Sequence, residues 1–221
     1  IVYLSNNDYN SSIINFQKAI EIDDTEIENY INLGFCLQKI GNIEMAVKEY
    51  YNALKINPEN ITALKNLSGI FYNNSYIQEA LDLYMKIYEL DNNNAIYEKL
   101  IGNCFRILEY YENALEYYQK YIEKYTNDYE VKLFIGICLY ELDDTENSFN
   151  IFYELISIDK KELSRAFLYL SKIYEKSDQL DEALDTARES ALLDINNIDT
   201  FLQYANILLK IGDKVKAVSS L

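Results

Sequence analysis

The sequence predicts an all-α fold, a solenoid of antiparallel helix hairpins that repeat every 34 residues. Three observations support this prediction. Small and large apolar residues recur in register along the whole chain. Each period contains two stretches in which apolar residues keep helical spacing. The 221 residues include one Pro and six Gly, which favours a chain with few breaks and mostly helical structure.

The repeat register is clearest when Ile27 is numbered as column 1 of a 34-residue unit. Column 8 is then always small, with Gly34, Ser68, Gly102, Gly136, Ser171 and Ala205. Column 20 is also small, with Ser12, Ala46, Ala80, Ala114, Ser148, Ala183 and Ala217. Small residues at these columns let the two helices of a hairpin approach closely. Because one hairpin cannot bury its apolar stripe alone, each unit is expected to stack on the next.

One step of the register is 35 residues rather than 34, from Gly136 to Ser171. Phe152 keeps its spacing from Gly136, so the extra residue must lie between Phe152 and Ser171. The polar run at 159–162 is the predicted insertion site, because loops accept insertions at little cost in free energy.

A helix-breaking position separates the two helices of each unit. In the unit that begins at Ile27, Gly41-Asn42 separates the helices and Asn57-Pro58 ends the second one. Corresponding breaks are predicted in later units at Ser75, Asp143-Asp144, Asp178 and Gly212. The unit at 95–128 has Glu109-Tyr110 there, which is a weak breaker. The repeat register, rather than local chemistry, therefore predicts that turn.

These columns resemble the tetratricopeptide repeat, whose pattern is an aromatic residue, Leu-Gly, Tyr, Ala, a second aromatic residue, Ala and Pro. The unit at 27–60 matches it with Tyr30, Leu33-Gly34, Leu37, Ala46, Tyr50, Ala53 and Pro58. Leu37 replaces the Tyr and Tyr30 replaces a Trp. The resemblance implies a right-handed superhelix and a single array over 1–221. Its predicted segments are a partial repeat at 1–26, repeats at 27–60, 61–94, 95–128, 129–163 and 164–197, and a partial repeat at 198–221.

Composition and motifs point away from catalysis and from polyanion binding. The net charge is −16, from 36 acidic and 20 basic residues, which disfavours binding to nucleic acid. His is absent, and no Gly-rich phosphate loop or nucleophile motif occurs. We therefore predict no enzyme activity, no metal site and no cofactor. No apolar run is long enough to span a membrane.

The three cysteines, Cys36, Cys104 and Cys138, share column 10. A shared column indicates small buried residues against a neighbouring helix, rather than a metal cluster. Their odd number gives no disulfide framework, which favours a reducing compartment and a cytoplasmic location. The chain begins at Ile1 without Met and stops within an apolar pattern, so we expect it to be a segment of a longer protein.

The candidate site is the exposed face of the first helices, which line the concave surface in helical-pair solenoids. Asn side chains can pair with a peptide backbone, and Lys and Arg can hold a carboxylate. The side chains predicted to line a peptide-binding groove are Asn32, Lys65, Asn66, Lys99, Asn103, Arg106 and Arg165. Positive charge concentrates between Lys65 and Arg106, which places the centre in the units at 61–94 and 95–128. Apolar area is expected from Ile31, Phe35, Tyr72, Leu133, Phe134 and Leu168.

Two ligand-binding patterns of the family are begun but not completed. Lys99 and Asn103 resemble the first half of a carboxylate clamp that holds a partner's C-terminus, and Arg165 matches a later basic position. Phe134 and Tyr169 occupy its other two positions. A second pattern, an asparagine ladder, begins with an Asn at column 6 in two successive units and does not continue in the next units. A compositional bias toward Asn explains that ladder equally well.

The sequence thus predicts a protein–protein interaction scaffold that binds a peptide or partner segment. An alternative is the recognition arm of a larger enzyme, such as a glycosyltransferase or signalling protein, with its catalytic domain outside 1–221. Another is self-association through open ends, where Leu4 and Phe16, and Phe201 and Leu208, are expected to expose apolar columns.

Overall fold

The computed structural model describes residues 8–91, 94–158 and 163–219. Within these ranges the chain forms thirteen α-helices and no strand, so the all-α prediction is confirmed. The contacts between helices divide the chain into unit 1, which ends at Glu109, and unit 2, which begins at Tyr110. The predictions for Leu4 and for the 159–162 insertion lie outside the described residues.

Unit 1 is a row of stacked helix hairpins. Its described helices are α1 (Tyr9–Ile22), α2 (Ile27–Lys39), α3 (Ile43–Ile56), α4 (Ile61–Asn73), α5 (Ile77–Leu90) and α6 (Ile96–Ile107). Each helix contacts the next one along the chain, and α2 also contacts α4. The first helices of two successive hairpins therefore lie side by side in this unit.

Unit 2 has the same construction. Its described helices are α7 (Tyr111–Lys124), α8 (Tyr129–Glu141), α9 (Thr145–Ile156), α10 (Leu163–Lys176), α11 (Leu180–Leu193), α12 (Ile198–Lys210) and α13 (Lys214–Ser219). Consecutive helices contact one another, and α8 contacts α10, which in turn contacts α12. The division between units falls within the predicted repeat at 95–128, and the repeat boundaries remain predictions.

Small residues lie where the two helices of a hairpin approach closely. In unit 1, a Cβ added to Gly34 would lie 2.8 Å from Cε1 of Tyr50. In unit 2, the Ser148 hydroxyl donates to the Gly136 carbonyl over 2.9 Å. These contacts show that small residues are needed where the paired helices cross, as the register predicts.

The hairpin turns share one backbone feature. The residue at column 15 has a positive φ in Gly41 (82°), Ser75 (63°), Glu109 (64°), Asp143 (60°), Asp178 (58°) and Gly212 (87°). This left-handed conformation ends a helix and lets the following N–H bond back to it. For example, the Asn42 N–H donates to the Leu37 carbonyl over 2.9 Å. The turn at Glu109 confirms that the register locates it where the local sequence is a poor breaker.

The three cysteines are buried and form no disulfide, as their shared column predicts. Burial raises the pKa of Cys104 to about 12 and also raises the pKa of Cys36. Thiols in this state are small apolar side chains with little nucleophilic character.

The open-end prediction needs correction in unit 2. Leu208 is buried, with 1% of its surface exposed, because it lies on the side of α12 that packs inward. The most exposed apolar side chains of α12 and α13 are instead Ile198 (73%), Val215 (82%) and Val218 (76%). Phe201 and, in unit 1, Phe16 are half-buried.

Candidate functional site

The structure divides the predicted groove residues between the two units. Six of them lie on the first helices of unit 1, namely Asn32 on α2, Lys65 and Asn66 on α4, and Lys99, Asn103 and Arg106 on α6. Arg165 lies on α10 in unit 2. We call the six residues of unit 1 the polar face. Among them Lys65 is exposed and the other five are half-buried.

The charge of the polar face is positive along α4 and α6. Lys65 is the one charged residue of α4, while α6 carries Glu98, Lys99 and Arg106. Glu98 is only 2% exposed, and its Oε1 accepts a hydrogen bond from the Tyr88 hydroxyl over 3.3 Å. The acid of α6 therefore points into unit 1, and the two helices present cations at the surface. This contrasts with the net charge of −16 for the chain.

Aromatic rings support the cation of α4. The Lys65 ammonium lies 5.6 Å from the centroid of the Tyr97 ring, within the range of a cation–π contact. Tyr97 contacts Tyr84, and Tyr84 contacts Tyr72, with centroids 6.3 Å apart in each pair. Burial raises the pKa of Tyr84 to about 12, so this ring stays neutral. The row of rings links α4, α5 and α6 beneath the polar face.

The α2 end of the polar face combines an amide with an aromatic ring. Asn32 lies three residues before Phe35, so both side chains share one side of α2. The Phe35 ring lies 6.3 Å from that of Tyr9, and the Lys39 ammonium lies 5.2 Å from the Phe35 centroid. Lys39 is a cation of this face that the sequence reasoning did not single out.

Most of the apolar area predicted for the groove is not available at the surface. Ile31, Leu133, Phe134 and Leu168 are buried, whereas Phe35 and Tyr72 are half-buried. Ile31 belongs to the apolar core of unit 1. The prediction was wrong for these four because neighbouring first helices contact each other, and their apolar side chains pack inside the unit.

In unit 2, aromatic rings occupy two positions at which a carboxylate clamp requires polar groups. Phe134 is buried, and the Arg165 guanidinium carbon lies 5.4 Å from its ring centroid. Tyr169 stacks on Phe152 at 5.2 Å and meets Tyr140 edge-on at 5.3 Å. Arg165 is thus held over an aromatic ring of α8.

Acids accompany the cations on the first helices of unit 2. Lys176 forms an ion pair with Asp143 at 3.1 Å, and Lys210 forms one with Glu175 at 2.6 Å. Burial opposes ionisation of Glu175, but hydrogen bonds from Lys210 and Gln203 outweigh it and lower the pKa of this carboxyl. The cations of these helices are therefore offset by acids of the same unit.

Gly69 is a further residue of the unit 1 face that sequence reasoning passed over. It lies within α4, and a Cβ added to it would meet nothing within 4 Å. The sequence does hold one signal for Gly69, which is its place at column 9. In all the other first helices a larger residue stands at this column, namely Phe35, Asn103, Ile137, Lys172 and Asn206. Glycine has neither a charged nor an amide side chain, so the chemistry expected of a peptide-binding residue does not indicate it.

Comparison with known proteins identifies repeats in three segments of the chain. The sequence profile of the tetratricopeptide repeat matches residues 2–26, 27–60 and 100–123. No curated protein matches the chain. None of the described helices has the length and hydropathy required to cross a membrane.

Solved structures share the fold at low sequence identity. YrrB, a TPR protein with an unusual peptide-binding site, is 23% identical with a TM-score of 0.68, and the match covers 84% of this chain and 95% of YrrB. A tetratricopeptide repeat protein from Parabacteroides merdae is 18% identical with a TM-score of 0.71, covering 99% and 86%. PilF of Pseudomonas aeruginosa is 19% identical with a TM-score of 0.64, covering 94% and 92%.

The helix hairpins define an α-solenoid, a class of protein that typically presents surfaces to other proteins. Three segments of this chain match the tetratricopeptide repeat, which the sequence columns resemble, and structures of tetratricopeptide repeat proteins share its fold. Proteins built from such repeats are typically scaffolds without enzymatic activity, and the three matched repeats of this chain support a role in protein interaction.

Proposed function

We propose that unit 1 binds an extended peptide segment of a partner protein across α2, α4 and α6. The observation that carries this proposal is the charge of α4 and α6. They present Lys65, Lys99 and Arg106, while the acid of α6, Glu98, is buried. In a chain with 36 acidic residues, this local excess of cations favours a ligand that carries carboxylates.

The amides of the polar face suit a ligand with exposed peptide bonds. Asn32 and Asn66 are half-buried, and each side chain offers both a donor and an acceptor. An extended segment presents both groups along its backbone, whereas a helix satisfies them internally. The fold shared with YrrB, which has a peptide-binding site, also supports a peptide ligand. No cofactor or catalytic step is part of this proposal.

The test begins with a displayed library of random 12-residue peptides, selected against the 221-residue chain. The selected peptides are synthesised with a fluorescent label, and Kd is measured by anisotropy. Reversing two cations with Lys99→Glu and Arg106→Glu is expected to weaken binding about tenfold or more, because each reversal replaces an attraction with a repulsion. Binding should also weaken as salt screens these charges.

A matched variant controls for net charge. Lys48 and Lys55 are exposed on α3, the second helix of a hairpin in unit 1. Lys48→Glu with Lys55→Glu makes the same change in total charge away from the polar face, so Kd should stay within about twofold. If the two double variants weakened binding equally, or if neither changed Kd, the proposal would be wrong.

Self-association is a second candidate, because α12 and α13 expose Ile198, Val215 and Val218. Val215 and Val218 lie three residues apart, so they share one side of α13, and exposed apolar side chains on one side of a helix are typical of an interaction surface. Sedimentation velocity over a wide concentration range tests this candidate directly. A concentration-dependent shift that Val215→Asp with Val218→Asp abolishes would support it, and a monomer at all concentrations would eliminate it.

A further inference from the structure

Gly69 has no structural reason to be glycine within the residues that the structure describes. Gly34 and Gly136 lie beneath aromatic rings, where an added Cβ would come within 2.8 Å of Tyr50 and Phe152. Gly41 and Gly212 have positive φ in turns. Gly69 is neither under a ring nor in a turn, since it lies inside α4 with open space where its Cβ would be.

A glycine at this place has a cost in stability. Inside a helix, Gly is less favourable than Ala by about 1 kcal/mol, because it loses more backbone freedom on folding. Packing does not offset that cost at Gly69, since no neighbouring atom occupies the space. A close approach by a molecule from outside would account for it.

The surroundings of Gly69 connect it to the polar face. Lys65 lies four residues before it, Asn66 three residues before it and Tyr72 three residues after it. Residues at these separations share one side of a helix. Gly69 is therefore a gap one residue wide, with a cation and an amide on one side and an aromatic ring on the other.

We infer that a bound acidic peptide runs in an extended conformation over Gly69, with its backbone against α4. This inference rests on the proposed function and specifies its geometry. The gap lets a main-chain amide reach the Asn66 side chain, which pairs with donor and acceptor alike. Carboxylates of the peptide then lie near Lys65, whose position over the Tyr97 ring holds its charge at this face.

An extended segment fits this gap better than a helical one. Helices pack with their axes about 8–10 Å apart, and closer approach requires a row of small residues on both. On α4 the gap is flanked one turn away by Lys65, Asn66 and Tyr72, which would hold a helix off. An extended backbone, by contrast, is narrow enough to fit in the space that a single missing side chain leaves.

Two substitutions at the same position test the inference. The probes are the labelled 12-residue peptides selected from the displayed library against the wild-type chain. Gly69→Ala should raise the midpoint of thermal unfolding slightly, because Ala favours helix and meets no neighbour. Gly69→Gln should leave the fold intact for the same reason, yet fill the gap and weaken Kd about tenfold, with Ala weakening it less.

The outcomes separate this inference from the proposed function. If Gly69→Gln binds like the wild type while the Lys99→Glu and Arg106→Glu variant does not, the groove stands and the role of Gly69 is wrong. If neither variant changes Kd, the proposed function itself is wrong. Selected peptides without an excess of Asp and Glu would overturn the acidic character of the ligand. Circular dichroism and thermal melts of each variant show that any loss of binding occurs in a folded chain.

Discussion

The Tyr50 ring lies directly against Gly34, in the space that a side chain at position 34 would otherwise fill. Its Cε1 atom is 2.8 Å from where a Cβ on Gly34 would be. Tyr50 is completely buried, burial raises its pKa, and its hydroxyl donates to Gln38 over 3.3 Å. The glycine of α2 and the aromatic residue of α3 therefore form a single packing unit within the hairpin.

Gly34→Ala is expected to destabilise the chain because the ring of a buried tyrosine cannot move aside freely. Overpacking of this kind costs about 1–3 kcal/mol. The matched control is Gly69→Ala, which adds the same methyl group to open space and should not lower stability. Midpoints of urea unfolding measure both. If the two variants unfold at the same urea concentration, the packing contact is not as described.

The left-handed turn residues offer a second test. Ser75 and Asp178 have φ of 63° and 58°, a conformation that costs a residue with a Cβ about 1–2 kcal/mol relative to glycine. Ser75→Gly and Asp178→Gly should therefore raise the midpoint of thermal unfolding. Gly41→Ala, at the same column with φ of 82°, should lower it. A rise for Gly41→Ala would contradict the shared turn geometry.

Stability at acidic pH should depend on Glu175. Its hydrogen bonds from Lys210 and Gln203 lower its pKa below the ordinary value of 4.5. A lowered carboxyl pKa stabilises the folded state above the unfolded-state pKa, and this contribution is lost as pH falls through the folded-state pKa. Glu175→Gln should thus be less stable than the wild type near neutral pH. The difference should shrink at pH values below about 4.

Urea midpoints of the Glu175→Gln variant and the wild type at several pH values test this expectation. Glu189→Gln on α11 is a control on the same unit, since Glu189 lies at 3.9 Å from Arg188, with about half of its side chain exposed. That pair is weak, and its loss should change the pH profile little. A constant difference between Glu175→Gln and the wild type at all pH values would contradict the prediction.

The cysteines should not react in the folded chain. Cys36, Cys104 and Cys138 are fully buried, and the pKa of Cys104 is raised to about 12. At pH 8 a disulfide reagent such as Ellman's reagent should find no fast thiol in the native protein. After denaturation in guanidinium it should find all three. Fast reaction of any thiol in the native protein would contradict this prediction, because it would show that the side chain of that cysteine is accessible to solvent.

The fold followed from the sequence because its signals are local and repeated. Helical spacing and small residues at two columns recur in every unit, and a helix-breaking residue stands at column 15 in most of them. The shared register therefore predicts a turn even in a unit whose own residues indicate it poorly. Glu109 shows this well: nothing in its own chemistry indicates a left-handed turn, yet the register places one there and φ is 64°.

The sequence predicted only part of the candidate site. The cations of α4 and α6 were identifiable by column, but the burial of Ile31 and Phe134 was not. Column spacing gives the direction of a side chain from its own helix, and it does not tell which neighbouring helix covers it. The aromatic ring beneath Lys65 comes from another helix and was missed for the same reason.

The sequence by itself determined the repeat length, the order of the helices, the hairpin turns and the buried small columns. These depend on backbone propensity and on periodicity, which are properties of neighbouring residues. Only the tertiary structure decided that Gly34 lies under a ring while Gly69 faces open space, and that Lys176 is paired with Asp143, 33 residues away. Such differences arise from contacts between residues distant in sequence, and no local pattern contains them.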